Sequence, residues 1–387
     1  MTNARKRLLL GMFGVGSVVL ASLLLNAFRV PAHWLPLSET WSQEDYSYLS
    51  LVIAILAMTL LPLDFLGGYV LPNRARRETI AFRSFLLGWL RGVAVQSFCF
   101  FISGVLILGF GRSMGLPGAL VCVAGLAMFL VAFQLPLSRL TGSLGKKVEL
   151  DLPDQQKISH AMRQAKAWGL KSRPLVYLRH RDAGFTGGIV GLPGREKIVL
   201  PEQAISRLSA DELTFTIARR LEAIHDGSRN RGVACAFVWV LLGFSLSAIL
   251  PGAGVTSVAA LVTTCLGFTS WTFLGLLILP SLSRQASYAI DGRVMSHGAA
   301  RESFEKSVRM LDQMQDDEPE RTRLIETVFH PVPSVKRRIT QSGSSFPIAW
   351  HAARMTLFLS WACMGTLVRS VHCNVGRPEL WVMLPTD

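Results

Sequence analysis

Three places in this chain hold ionisable residues at spacings that could do chemistry. The first opens at Ser209-Ala210-Asp211-Glu212-Leu213, where Ser209 as N-cap and Glu212 three residues on form a capping box. The helix it starts carries Arg219, Arg220, Glu222 and His225 and is broken by Gly227. A guanidinium has only donors to offer, so Arg219 and Arg220 cannot hold a metal. An Arg–Glu222 pair on the helix surface would be worth only a few tenths of a kcal/mol. The second place is Ser283-Arg284-Gln285-Ala286-Ser287-Tyr288-Ala289-Ile290-Asp291, a helical stretch ending in an acid. The third is Asp64 and Arg91, which fall at comparable depth near the inner ends of two apolar runs. Opposite charges buried there would pair and are functional candidates by default, although both lie close enough to the interface to snorkel.

The other titratable residues are less suggestive. His160, His180, His225, His297 and His330 show no i,i+4 pairing and read as ordinary polar or packing residues. Cys99, Cys122, Cys235, Cys265 and Cys363 fall in apolar runs and Cys373 in the tail, with no C-x-x-C pair. Neither a disulfide framework nor a cysteine zinc site is implied. There is no G-x-S-x-G elbow.

The elements that must position these residues belong largely to a bilayer. Of 387 residues, 50% are hydrophobic and only 17% charged, which excludes a disordered or ordinary soluble chain. Apolar runs of spanning length, roughly 20 residues, fall at 8–28, 48–71, 85–110, 117–137, 233–250 and 258–279. A weaker seventh at 350–368 contains Arg354. Arg5-Lys6-Arg7 before the first run fits a signal peptide, but the long apolar stretch without a small-x-small site reads as an uncleaved anchor.

Basic residues in short loops set the orientation. Arg5, Lys6 and Arg7 precede the first run, and Arg74, Arg76, Arg77 and Arg83 lie between the second and third. Glu39, Glu44 and Asp45 face Arg29 alone in the loop between the first two. Alternation then puts 138–232 and 280–347 in the cytoplasm and the Cys373-containing tail outside. The net charge of +14 is spread over loops with no nucleic-acid module, so anionic lipid is the expected partner and nucleic acid is not.

Between the fourth and fifth runs the pattern is that of a small α+β domain. A helix is predicted at 155–169, strands at 174–178, 185–190 and 197–200, and a turn at Leu192-Pro193-Gly194. After the sixth run a helix continues over 281–298, and an amphipathic helix covers 301–314 through Phe304, Val308, Leu311 and Met314. Asp316-Asp317-Glu318 reads as a solvated loop. The expected layout is a four-helix membrane region at 1–137, a cytoplasmic domain in two parts (138–232 and 281–347) around a hairpin at 233–280, and a last span with outer tail at 348–387.

In this order the motifs resemble the membrane-embedded zinc endopeptidases of the HtpX and CAAX-prenyl-protease type. Asp182-Ala183-Gly184-Phe185-Thr186-Gly187 resembles the family's N-A-F-A-T-G segment, and the capped helix resembles its zinc helix. Ser283–Asp291 resembles S-R-x-x-E-[YF]-x-A-D, and Pro333-Ser334-Val335-Lys336-Arg337-Arg338-Ile339 resembles H-P-S-x-x-x-R-I with Val332 at the His. The likeness runs from about Glu149 to Ile339. It implies a multi-pass helical membrane protein of about seven spans, with a small cytoplasmic zincin-like α+β domain, in a cell membrane; the bacterial inner membrane is the expected one.

The departures from that pattern carry the functional reading. On the family's frame Arg219 stands at the first zinc His, Arg220 at the general-base Glu, Ala223 at the second His and Ser287 at the third ligand. Asp291, matching an acid beside the metal, survives. Zinc is expected from the family, but its ligands are absent. Sliding the frame by two keeps Glu222 as base and His225 as one ligand, with Leu221 at the first His. The unshifted frame aligns Asp211, Glu212, Ala218, Ile224 and Gly227 without a gap, and neither frame holds zinc. Arg219 or Arg220 is expected to pair with Asp291. The resemblance therefore implies an inactive homologue, a pseudopeptidase, that binds unfolded or membrane polypeptides or regulates an active peptidase. A strand at 185–190 would be the edge along which a polypeptide extends. Alternatives are an active endopeptidase with a displaced site and a transporter-like bundle, the latter resting on Asp64 and Arg91 alone.

Overall fold

The computed structural model describes residues 3–74, 80–182, 184–315, 317–341, 349–372, 374–380 and 382. Arg76 and Arg77 of the basic loop, Ala183, Asp316, Cys373 and the expected boundary at 347/348 lie outside the described residues.

Among the described residues five helices are long and apolar enough to cross a membrane. The chain begins with α1 (Asn3–Ala27), a short α2 (Val30–Trp34) and α3 (Gln43–Phe65), opened by a capping box between Ser42 and Asp45. A π-helical turn at Leu66–Val70 joins α3 to α4 (Leu71–Arg74). Next comes α5 (Phe82–Ala132), interrupted at Gly115 with φ 64 and ψ −156 just before Pro117. Uninterrupted, its 51 residues would run roughly 75 Å, more than twice the ~30 Å of hydrocarbon. Instead the chain doubles back: Arg91 on the first arm donates to the carbonyls of Arg139 and Leu140, just past the second. Gly115 can turn the corner because its positive φ costs glycine nothing.

α6 (Gln134–Thr141) leads into β1 (Leu144–Lys147), α7 (Leu152–Ala167), β2 (Leu175–His180), β3 (Gly188–Val190) and β4 (Lys197–Pro201). The sheet order is β1-β2-β4-β3, with β2 parallel to β4 and both outer pairs antiparallel. The sequence gives no sign of β1: Leu-Gly-Lys-Lys does not alternate, and only its pairing with β2 makes it a strand. β3 is an edge strand, yet all three of its residues are buried.

α8 (Glu202–Arg207) precedes α9 (Ala210–His225), which is followed by α10 (Ser228–Ala248) and α11 (Val258–Ser296). The last helices are α12 (Arg301–Gln315), α13 (Arg323–Phe329), α14 (Val335–Thr340) and α15 (Ala352–Leu359). A second core, separate from that of the bundle, packs α7, α9, α12 and the far end of α11 through Ile158, Leu213, Phe215, Ile290, Phe304 and Leu311. Burying each such side chain contributes about 1.5–3 kcal/mol. The two stretches of the α+β part flanking the α10–α11 hairpin thus share one core.

Relative sides can be read from contacts. Arg5 bonds Glu318 at 2.7 Å, and Arg181 donates to the carbonyl of Ser84, so the N-terminus, the start of α5 and the α+β part share one end. At the other end Arg112 bonds Asp45 at 2.9 Å and the carbonyls of Thr256 and Ser38.

The C-terminal segment departs from expectation twice. The seventh span at 350–368 is not a crossing helix: after the eight residues of α15 come 3₁₀ turns at Ser360–Cys363, Leu367–Arg369 and Pro378–Leu380. Its residues are apolar because they are inside the protein; Trp350, Trp361, Cys363 and Leu367 are at most 1% exposed. The tail also does not lie on the far side. Arg377 bonds Asp182 at 2.9 Å and Glu379 approaches Arg181 at 3.7 Å, both at the α+β end. Glycines admit its backbone: a Cβ on Gly11, Gly67, Gly92 or Gly232 would overlap main-chain atoms of His372, Val375, Glu379 or Trp350.

Candidate functional site

α9 is fixed at its start by Ser209 and Glu212, whose backbone and side-chain groups bond each other at 2.8 and 3.4 Å. Its strong packing on α7, α11 and α12 leaves both arginines without solvent: Arg219 and Arg220 are 0% exposed. Arg219 Nε donates to Asp291 Oδ1 at 2.5 Å. On the other flank Arg338, carried by α14, grips the same carboxylate in a fork, Nε to Oδ2 at 2.8 Å and NH2 to Oδ1 at 2.9 Å. Asp291 is thus a buried anion between two cations brought from 72 and 47 residues away. Charge-assisted, bidentate contacts of this kind are the strong class of hydrogen bond, and removing one partner leaves a buried charge uncompensated.

Arg220 points elsewhere. Its NH2 donates to the carbonyl of Thr186 at 2.9 Å, beside Gly187, whose φ is 114. A Cβ there would run into Val199 and the Arg220 guanidinium, so glycine is required. The 185–190 segment is therefore tied to α9 through the Arg220 guanidinium. Ala223 is buried and Ser287 spends its hydroxyl on the Ser283 carbonyl at 3.2 Å.

Glu222 is 3% exposed and meets His297 Nε2 at 3.3 Å, Arg293 at 3.5 Å and His225 Nδ1 at 3.8 Å. His297 and Arg293 extend from the end of α11. Nothing local in the sequence marks His297; the packing of the α11 end opposite α9 brings it to Glu222. Asp226 takes Arg293 as well, at 2.8 Å. Arg284, inside the Ser283–Asp291 stretch, donates to the carbonyls of Glu326, Thr327 and His330 and so satisfies the C-terminus of α13.

The donor set does not fit zinc. Among the described residues no three His, Cys, Asp or Glu side chains come together so as to hold a metal. Around Asp291 the neighbours are guanidiniums, which repel a cation, and the Glu222–His297–His225 group has Arg293 in its midst.

The expected Asp64–Arg91 pair does not form. Arg91 is spent on the carbonyls of Arg139 and Leu140, at 2.7 and 2.8 Å. Asp64 is instead bonded by Arg369 of the C-terminal segment, by Trp89 Nε1 at 2.9 Å and by the Gly376 amide at 3.3 Å. Hydropathy put the two residues at equal depth but could not show that Arg91 lies on the outer surface and that Arg369 enters the bundle.

Electrostatics at the α+β end are dominated by burial. Burial lowers the His180 pKa to about 4, although Asp182 opposes it; the ring stacks on Phe185 at 4.0 Å. For Asp182 burial raises the pKa, but Arg377, Arg7, the Gly184 amide and His180 together more than offset it and the net shift is downward. Burial holds His351 well below its ordinary value, and Arg354, Arg219, Arg229 and Arg220 push the same way. His351, on the C-terminal segment, therefore stands before the arginines of α9 as a neutral imidazole.

No family model and no curated protein matches the chain. Among solved structures it is similar to the crystal structure of Ste24p from S. mikatae, with a TM-score of 0.63 at 15% identity over 78% of this chain and 76% of that chain. At that identity the likeness shows the fold: the chain is a membrane protein built from apolar helices with a Ste24p-like architecture.

Proposed function

We propose that this chain is a membrane pseudopeptidase, a Ste24p-like scaffold that binds or regulates membrane polypeptides without hydrolysing them. One observation carries the reading: at the place where the resemblance puts a zinc ligand, the Arg219 guanidinium is locked to Asp291 at 2.5 Å with no exposed surface. A fixed cation there fills the role a metal would have in organising the surrounding acid. Partners are unfolded or membrane polypeptides, or an active peptidase, met from the cytoplasmic side on the orientation that the basic loops favour. Purified protein is expected to contain no stoichiometric zinc and to leave casein-type substrates intact; zinc lost to chelator together with cleavage would overturn the proposal.

The displaced-site reading draws on the Glu222–His297 contact at 3.3 Å. It predicts cleavage abolished by Glu222→Gln, and fails if wild type shows none. Transport has lost its supporting pair, since Arg91 does not meet Asp64.

A further inference from the structure

A cavity of about 850 Å³ opens where the α+β part meets the bundle. Its two ends differ in chemistry. Toward the bilayer the wall is apolar, with Met12 and Val15 from α1 and Phe273 and Leu276 from α11. Met12 and Leu277 line it while being 41% and 38% exposed on their spans, which places a mouth on the lipid-facing side. Toward the α+β part the wall carries six arginines (7, 181, 321, 338, 354 and 377) against the four carboxylates of Asp182, Asp312, Glu318 and Glu379.

Most of that charge is arranged in fixed pairs, Arg377 with Asp182 at 2.9 Å and Arg321 with Asp312 at 3.5 Å among them. With Arg338 set aside, because it is held by Asp291 behind the wall, five arginines face four carboxylates and the lining stays cationic by one. A second observation points at the same end. His330 lines the cavity, is 7% exposed, and its Nε2 is buried with no hydrogen-bond partner. Burial holds that imidazole well below its ordinary pKa, so it is neutral and can donate one hydrogen bond. A buried polar atom left unsatisfied is costly unless something meets it.

We propose that this cavity binds a single-chain anionic lipid, its acyl chain between α1 and α11 and its phosphate or carboxylate head at His330 and the arginine-rich wall. Size agrees with that occupant. At about 850 Å³ the space falls in the range of one small, single-chain ligand. Sites of ~300–1,000 Å³ with apolar walls and a few convergent polar groups are the usual form for small ligands. The inference does not depend on the pseudopeptidase reading, and zinc content and cleavage do not bear on it.

The test uses the full chain in a non-ionic detergent with three probes: oleoyl lysophosphatidic acid, uncharged monoolein and inorganic phosphate. The lysophosphatidic acid is expected to bind about tenfold or more tightly than monoolein, as charged hydrogen bonds require, and millimolar inorganic phosphate should not displace it. Gly16 lines the cavity and a Cβ on it meets nothing within 4 Å, so Gly16→Phe adds bulk at the wall with no backbone clash at its Cβ. That variant should lose lysophosphatidic acid binding, and Arg354→Gln should weaken it about tenfold while leaving monoolein unchanged. Equal binding of monoolein, displacement by inorganic phosphate or full binding by Gly16→Phe would each overturn the proposal; so would equal binding of two-chain phosphatidic acid.

Discussion

Two buried carboxylates, Asp291 in the α+β part and Asp64 in the membrane bundle, are solved in the same way and differ in what they hold together. Asp291 sits between Arg219 and Arg338, both within the stretch that resembles the endopeptidases. Asp64 takes Arg369, Trp89 and a backbone amide, and through them binds the C-terminal segment to the bundle. The first keeps the site closed as a unit, with two cations on one anion. The second is a latch, one cation on one anion, between a span and a segment that arrives from elsewhere. A carboxylate buried with guanidiniums is weak evidence of stability by itself, because desolvation offsets the attraction. Its removal is nevertheless costly, and that is what allows the two to be compared.

The largest effect is expected at Asp291. Asp291→Asn leaves two guanidiniums facing each other in the core, and thermal unfolding should report a loss of about 3–5 kcal/mol. If stability is unchanged, Asp291 is not the centre of the cluster. Asp64→Asn strands only one guanidinium and should cost about 3 kcal/mol. Its specific signature is release of the segment, so Cys363, 0% exposed, should become reactive to a membrane-permeant maleimide while α9 keeps its protection. Unchanged labelling would show that the glycine contacts, and not the ion pair, retain the segment.

Acid should separate the regions further. The folded-state pKa of His180, about 4, lies below its ordinary 6.5. The unfolded chain therefore takes up the proton first as pH falls. The stabilisation is complete above about pH 6.5, declines as pH drops toward 4 and levels below it; His180→Gln should flatten that window. Breaking the helix start, Ser209→Ala, should cost about 1 kcal/mol. Least is expected from Glu305→Gln, whose exposed pairing with Arg301 on α12 is worth a few tenths of a kcal/mol.

The membrane helices and α9 could be read from the chain because each is governed by local signals: apolar length for the spans, and the Ser209–Glu212 spacing for the helix start. Positions around Arg219 and Asp291 were legible for the same reason, through motifs in order. Arg338 stood in plain view in the last motif, but nothing local says that it would reach back to Asp291. Asp64 shows the limit more sharply, since its partner is set by how the tail threads the bundle. The 350–368 run misled because hydropathy records that a segment avoids water, and burial in protein satisfies that as well as lipid does. β1 was missed because four residues with two lysines have no pattern to detect.

Asp64 enters the bilayer during synthesis long before its partner exists, since Arg369 follows 305 residues later. Until then a lone acid must wait near the interface, because a bare charge in hydrocarbon is costly. The bundle can therefore complete its interior only after all its spanning helices have been translated, when the C-terminal segment brings Arg369 to Asp64.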